Sequence, residues 1–77
     1  MNLSNEIKII RQKTFMTQEQ FAKKFNVAVS TVNRWENGKT VPGMKAMKRM
    51  KEFCNRHNLP FDDLEKAWIE QTQNENK

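Results

Sequence analysis

Apolar residues recur along the chain at the three- and four-residue spacing of helices that bury one face, with polar residues between them. Leu3, Ile7 and Ile10 form one such stripe between Glu6, Lys8 and Arg11, which predicts a first helix over residues 3–13. Thr17 and Gln20 stand at the spacing of a reciprocal cap. The Thr hydroxyl accepts from the Gln20 amide while the Gln side chain returns to the Thr17 amide, so a second helix starts at Gln18, with Phe21, Ala22 and Phe25 apolar. The run 26–32 is β-branched and alternates, as a strand does. Nothing else in the sequence offers that strand a partner. Val32 and Trp35 continue at helical spacing to a stop at Asn37-Gly38, so residues 28–37 are read as a third helix. A fourth is predicted over 44–56, with Met47, Met50, Phe53 and Cys54 inward and Lys45, Lys48, Arg49 and Glu52 outward. A fifth, 62–71, turns Leu64 and Trp68 inward with Phe61 beside them. The expected fold class is all-α: five helices in one domain over residues 1–71, followed by a polar, disordered tail over 72–77.

The second and third helices are predicted to cross steeply. Where two helix backbones nearly touch, a small side chain is needed, and the tight turn between them needs a residue that tolerates the left-handed region. Ala22 and Asn26 meet those needs. Val32 and Trp35 then clamp the crossing from inside and leave Val29, Ser30, Asn33 and Arg34 pointing away. A helix whose outer face is small, polar and basic, standing proud of its support, is shaped for the major groove of DNA. Thr17 and Gln18 lie beside the first turn of the second helix, whose free amides can hold a phosphate.

Length and charge narrow the classes. With 77 residues the chain is one small domain, and its hydrophobic share of 36% builds a modest core only because five Met, five Phe and two Trp bury much area each. Residues 1–57 carry twelve Lys and Arg against four acids, a net +8, whereas residues 58–77 carry two against five, a net −3. A body this basic attracts a polyanion, and nucleic acid is the commonest in a cytoplasm. No apolar run approaches the roughly 20 residues that span a bilayer, and the N-terminus lacks the pattern of a secretion signal, so no membrane partner is expected. The single cysteine forms no internal disulfide, and Cys54 with His57 cannot supply four zinc ligands, so no metal or other cofactor is expected. There is no glycine-rich phosphate loop, no paired catalytic carboxylates and no nucleophile with an oriented base, so the chain is not expected to be an enzyme. A cytoplasmic location, on the nucleoid when bound to DNA, follows from these expectations.

Thr17-Gln18-Glu19-Gln20-Phe21-Ala22, then Val32-Asn33-Arg34-Trp35-Glu36-Asn37-Gly38-Lys39, then Pro42, resemble the pattern of the Cro and phage-repressor class of helix-turn-helix proteins, the XRE family. The resemblance covers about residues 5–69. It implies a five-helix, lambda-repressor-like domain in which helices two and three form the DNA-binding unit. Carried over position by position, it places Val29, Ser30 and Arg34 against bases, with Asn33 at the margin. Arg34 suits guanine O6 and N7 together, and Val29 suits a thymine methyl. Gln18, Asn37 and Lys39 fall at positions that hold the sugar-phosphate backbone, as Thr17 does beside Gln18. Arg11 and Glu36 match a structural ion pair. Three positions depart from the pattern: Phe15 stands where Gly usually closes helix one, Ala28 where Ser or Thr caps helix three, and Pro60 where a similar cap precedes helix five.

The remaining residues read most simply as structure. Trp35 and the methionines of helix four belong in a core, Cys54 is a buried thiol and His57 a surface residue at a helix end. Trp68 and Ile69 close the last helix or form a patch for self-association. Lys23, Lys24, Lys45, Lys48 and Arg49 either form a solvated face or touch phosphate. The expected function is a sequence-specific transcriptional regulator, a repressor, acting on double-stranded DNA as a homodimer with recognition helices about 34 Å apart. At this length no sensor or cleavage domain is expected, which leaves autoregulation, a mobile-element repressor and an antitoxin open. The alternative is a protein-interaction module whose partner is a toxin or another regulatory protein.

Overall fold

The computed structural model describes residues 2–75. Five helices follow one another: α1 (Leu3–Lys13), α2 (Gln18–Phe25), α3 (Val29–Glu36), α4 (Met44–Arg56) and α5 (Asp62–Glu75). There is no strand among the described residues. The β-branched run that resembles a strand is the α2–α3 turn and the first half of α3. With no neighbouring strand to complete a ladder, its amides are satisfied only within a helix.

Each helix starts and stops for a local reason. The Asn2 side chain caps α1 by accepting from the Asn5 amide. Thr17 and Gln20 close the reciprocal cap on α2, at 3.1 Å from the Gln20 amide to the Thr hydroxyl and 2.9 Å from the Thr17 amide to the Gln20 side chain. The first four helices end in one shared device, a left-handed residue flanked by two crossed backbone bonds. Val27 donates to the Ala22 carbonyl and Asn26 to Lys23; Leu59 donates to Cys54 and Asn58 to Asn55; Lys39 donates to Arg34 and Gly38 to Trp35. Asn26, Asn58 and Gly38 are the residues at positive φ there, and short amide side chains or no side chain suit that region. The same device after α1 uses Phe15, at φ +57°. Its ring is 94% exposed. The departure noted from sequence is thus absorbed by a strained backbone and a side chain left in water.

Ala28 stands at the start of α3 with no side-chain cap. At α5 it is Phe61, and not Pro60, whose carbonyl takes the first helical bond, from Glu65 at 2.9 Å. The α5 helix continues past its expected end at Gln71 through Glu75, and the Thr72 hydroxyl within it donates to the Trp68 carbonyl at 2.9 Å. Of the expected tail, residues 72–75 are therefore helical, and residues 76 and 77 lie outside the described residues.

The core is built from the stripes that the spacing marks. Leu3, Ile7 and Ile10 of α1, Phe21, Ala22 and Phe25 of α2, Val32 and Trp35 of α3, Met47, Met50, Phe53 and Cys54 of α4, and Leu64 and Ala67 of α5 are all buried. Each large apolar side chain so buried contributes about 2 kcal/mol. Phe21, Phe25 and Phe53 meet with ring centroids 4.5 to 5.6 Å apart, and Trp35 reaches Phe25 at 6.5 Å, both pairs with Phe21 edge-on. This aromatic cluster fixes α2 against α3 and α4. Burial pushes the Cys54 thiol up to about 11, as suits an inert core residue. Trp68 is half-buried and donates from its indole nitrogen to the Pro42 carbonyl at 2.7 Å, tying α5 to the loop after α3.

Candidate nucleic-acid interface

The α3 helix has two unlike faces. Val32 is fully buried and Trp35 nearly so, pressed against Phe25 across the crossing. Val29, Ser30, Asn33 and Arg34 are exposed. The crossing itself closes at Ala22, which is buried, and turns at Asn26, which is left-handed at φ +56°. Both are the residue types that a steep helix pair needs at those points.

A chain of side-chain bonds holds the ends of α2 and α3 together along the exposed edge. Arg11 grips Glu36 with two nitrogens, Nε to Oε2 at 2.7 Å and Nη2 to Oε1 at 3.0 Å, and a third, Nη1, donates to the Met16 carbonyl at 2.9 Å. Gln18 Nε2 donates to the same Glu36 carboxylate at 3.0 Å. Asn33 Nδ2 donates to Gln18 Oε1 at 3.4 Å, and Asn37 Nδ2 to Asn33 Oδ1 at 3.0 Å. The hydrogen bond to Glu36, opposed by desolvation and helped by the carboxylate charge, raises the Arg11 guanidinium above its already high value, so Arg11 stays cationic.

The expected DNA-contacting residues therefore separate into four settings. Val29, Ser30 and Arg34 are free on the outer face, with no side-chain hydrogen bond among the described residues. Gln18, Asn33 and Asn37 are joined in the network, which fixes their rotamers and leaves spare donors. Thr17 has its amide and one hydroxyl lone pair committed to the cap, so what it offers an anion is the hydroxyl proton. The Gln18 and Glu19 amides beside it start α2 with no intrahelical partner. Lys39 is exposed, one residue after Gly38.

Two features are not legible from sequence. Arg49, read there as outward, is partly buried and donates from Nη1 to the Phe25 carbonyl at 2.7 Å, so it caps the last turn of α2. A cleft of about 490 Å³ opens between the α2–α3 turn and the first turn of α4, with Arg34, Thr40, Lys45 and Arg49 on its walls. Gly43 starts α4 there without a side-chain cap, and no acid occupies that first turn. The cleft adds Thr40 and Lys45 to the residues flanking the exposed face of α3. Only the tertiary approach of α4 creates it, so no local pattern signals it.

Residues 7–57 match the family model described as helix-turn-helix. The chain is 30% identical over 64 residues to the HTH-type transcriptional activator BcrR of Enterococcus faecalis, an alignment that covers 83% of this chain and 30% of that protein. It thus spans less than a third of the length of that relative. No solved structure matches the chain.

Proposed function

This chain belongs to the helix-turn-helix family, and from that premise we propose that it is a sequence-specific transcriptional regulator that acts as a homodimer to repress the promoter it occupies. Binding DNA and regulating transcription is the family's work. The finer reading rests on one observation: α3 is sealed on one side by Val32 and Trp35 and carries Val29, Ser30 and Arg34 free on the other. In that reading Arg34 takes guanine O6 and N7, Val29 meets a thymine methyl and Ser30 bonds either base edge. Thr17, Gln18, Asn37 and Lys39 hold the phosphates on either side and set the register of the helix, with Asn33 at the boundary between the two groups.

An eight-residue helix reads only a few base pairs, so useful specificity calls for two copies on inverted half-sites one helical turn apart. Repression asks no more than occupancy, because a domain seated on a promoter excludes polymerase. BcrR is named an activator, but most of its length lies outside the match, so activation is not carried over to this chain. A cytoplasmic protein on the nucleoid fits this role.

Selection of bound duplexes from a random pool with the purified chain, followed by footprinting, tests the proposal. Two protected inverted half-sites are expected, with affinity falling steeply as salt rises. A chain whose partner is a toxin or another regulator, and not DNA, would enrich no sequence.

A further inference from the structure

Phe15 has no account within the fold. It is 94% exposed, more than any other large apolar side chain among the described residues, and it holds φ +57°, where a bulky residue is strained. The same turn after α2, α3 and α4 uses Asn26, Gly38 and Asn58, residue types that take this backbone at little cost. An aromatic ring at this point lowers stability through strain and gains nothing from burial. Strain that the fold itself does not use points to a contact with something outside it.

The surroundings of the turn indicate what that contact is. The Phe15 amide donates to the Gln12 carbonyl at 3.0 Å, and the next carbonyl, of Met16, receives Arg11 Nη1 at 2.9 Å. That guanidinium also holds Glu36, and Glu36 holds Gln18. Phe15 is therefore fixed on the turn that leads directly into Thr17 and the open amides of α2, where the reading above seats a DNA phosphate. Lys13, exposed two residues earlier and in no ion pair among the described residues, adds a positive charge to the same turn. Each backbone phosphate is flanked by deoxyribose rings, whose C–H faces are the apolar part of the strand. We propose that Phe15 packs on the sugar next to the phosphate held by Thr17 and Gln18. The inference rests on the DNA-binding reading and adds an apolar backbone contact to it. Every nucleotide carries the same sugar, so the contact reads no sequence. It displaces no counterion, so its contribution does not change with salt.

Binding of the full chain to the selected duplex and to a scrambled one, across a salt series, tests this, with thermal melting to confirm that each variant is folded. Phe15→Gly removes the ring and relieves the turn, so weaker binding by this variant is not a loss of fold. It is expected to bind both duplexes about tenfold less tightly, with an unchanged slope of log affinity against log salt. Lys39→Ala, by contrast, is expected to flatten that slope by about one. Phe15→Leu, which keeps an apolar side chain, is expected to return most of the lost affinity. Hydroxyl-radical footprinting, which reports the accessibility of individual sugars, is expected to show a protected sugar in each half-site that becomes reactive in Phe15→Gly. Wild-type affinity and an unchanged footprint in Phe15→Gly would overturn the inference and leave the DNA-binding reading standing. A loss accompanied by a flatter salt slope would also overturn it, because the turn would then have shifted and released a phosphate. A wild type that binds neither duplex would remove the DNA-binding reading and this inference together.

Discussion

Gln18 is held between two residues of α3: it donates to the Glu36 carboxylate at 3.0 Å, which also receives Arg11 at 2.7 Å, and it accepts from Asn33 at 3.4 Å. The Glu36 side chain is 4% exposed and that of Arg11 14%, so this is a nearly buried pair at the seam of the helix-turn-helix unit. Arg11 lies outside that unit. It reaches in from α1 to neutralise the carboxylate that holds Gln18 in place.

Removing one partner of a buried pair leaves an uncompensated charge, whereas replacing both with apolar groups is far milder. Arg11→Ala is therefore expected to cost about 3 kcal/mol in urea unfolding, and Arg11→Met/Glu36→Met to recover much of it. DNA affinity should fall most in the double variant, which removes the carboxylate that Gln18 bonds, and less in Arg11→Ala, which keeps that carboxylate but not the guanidinium that fixes it. Equal stability losses in the single and double variants would show that the pair contributes through packing and not through charge.

Phe15 sits in the left-handed region with its ring in water, a conformation that costs a side chain about 1 kcal/mol and a glycine nothing. Phe15→Gly is expected to raise stability by only a few tenths of a kcal/mol once the added freedom of the unfolded glycine is subtracted, and so to raise the melting temperature by about 1–3 degrees. A lower melting temperature would mean that the ring makes a stabilising contact.

Cys54 gives the fold a dependence on alkaline pH. Its ordinary value is 9.0 and burial pushes it up to about 11, so between those limits the unfolded chain loses the thiol proton while the folded chain keeps it. Stability from this group is complete below pH 9.0 and is lost as pH rises toward 11, a total of roughly 2–3 kcal/mol. Urea unfolding across that range in the wild type and in Cys54→Ala isolates the contribution. The wild type should decline more steeply, and parallel declines would contradict the assignment.

Much of this architecture is legible in the residues because the signals are local. The stripes Leu3–Ile7–Ile10 and Met47–Met50–Phe53 set α1 and α4 by periodicity alone, and the Thr17–Gln20 cap fixes the start of α2. Asn26 announces its turn because few other residues take that backbone. The α3 helix is legible only by elimination, since its β-branched start favours a strand and the lack of a partner strand decides against one. What stays hidden depends on approach between distant elements. Arg49 belongs to the basic face of α4 by spacing, yet the carbonyl it caps lies on α2, and the cleft beside it exists only once α4 has docked. The extension of α5 through Glu75 is hidden for another reason: the polar run 72–75 has no apolar stripe to mark it as helical.

The central claim is that Arg34 reads sequence while Lys39 only holds phosphate. Its most direct test compares binding to the selected duplex and to a scrambled one, at one salt concentration, for the wild type, Arg34→Ala and Lys39→Ala. Arg34→Ala should reduce the ratio of the two affinities by about 10- to 100-fold, whereas Lys39→Ala should weaken both alike and leave the ratio unchanged. An undiminished ratio in Arg34→Ala, or a wild type that binds both duplexes equally, would contradict the account.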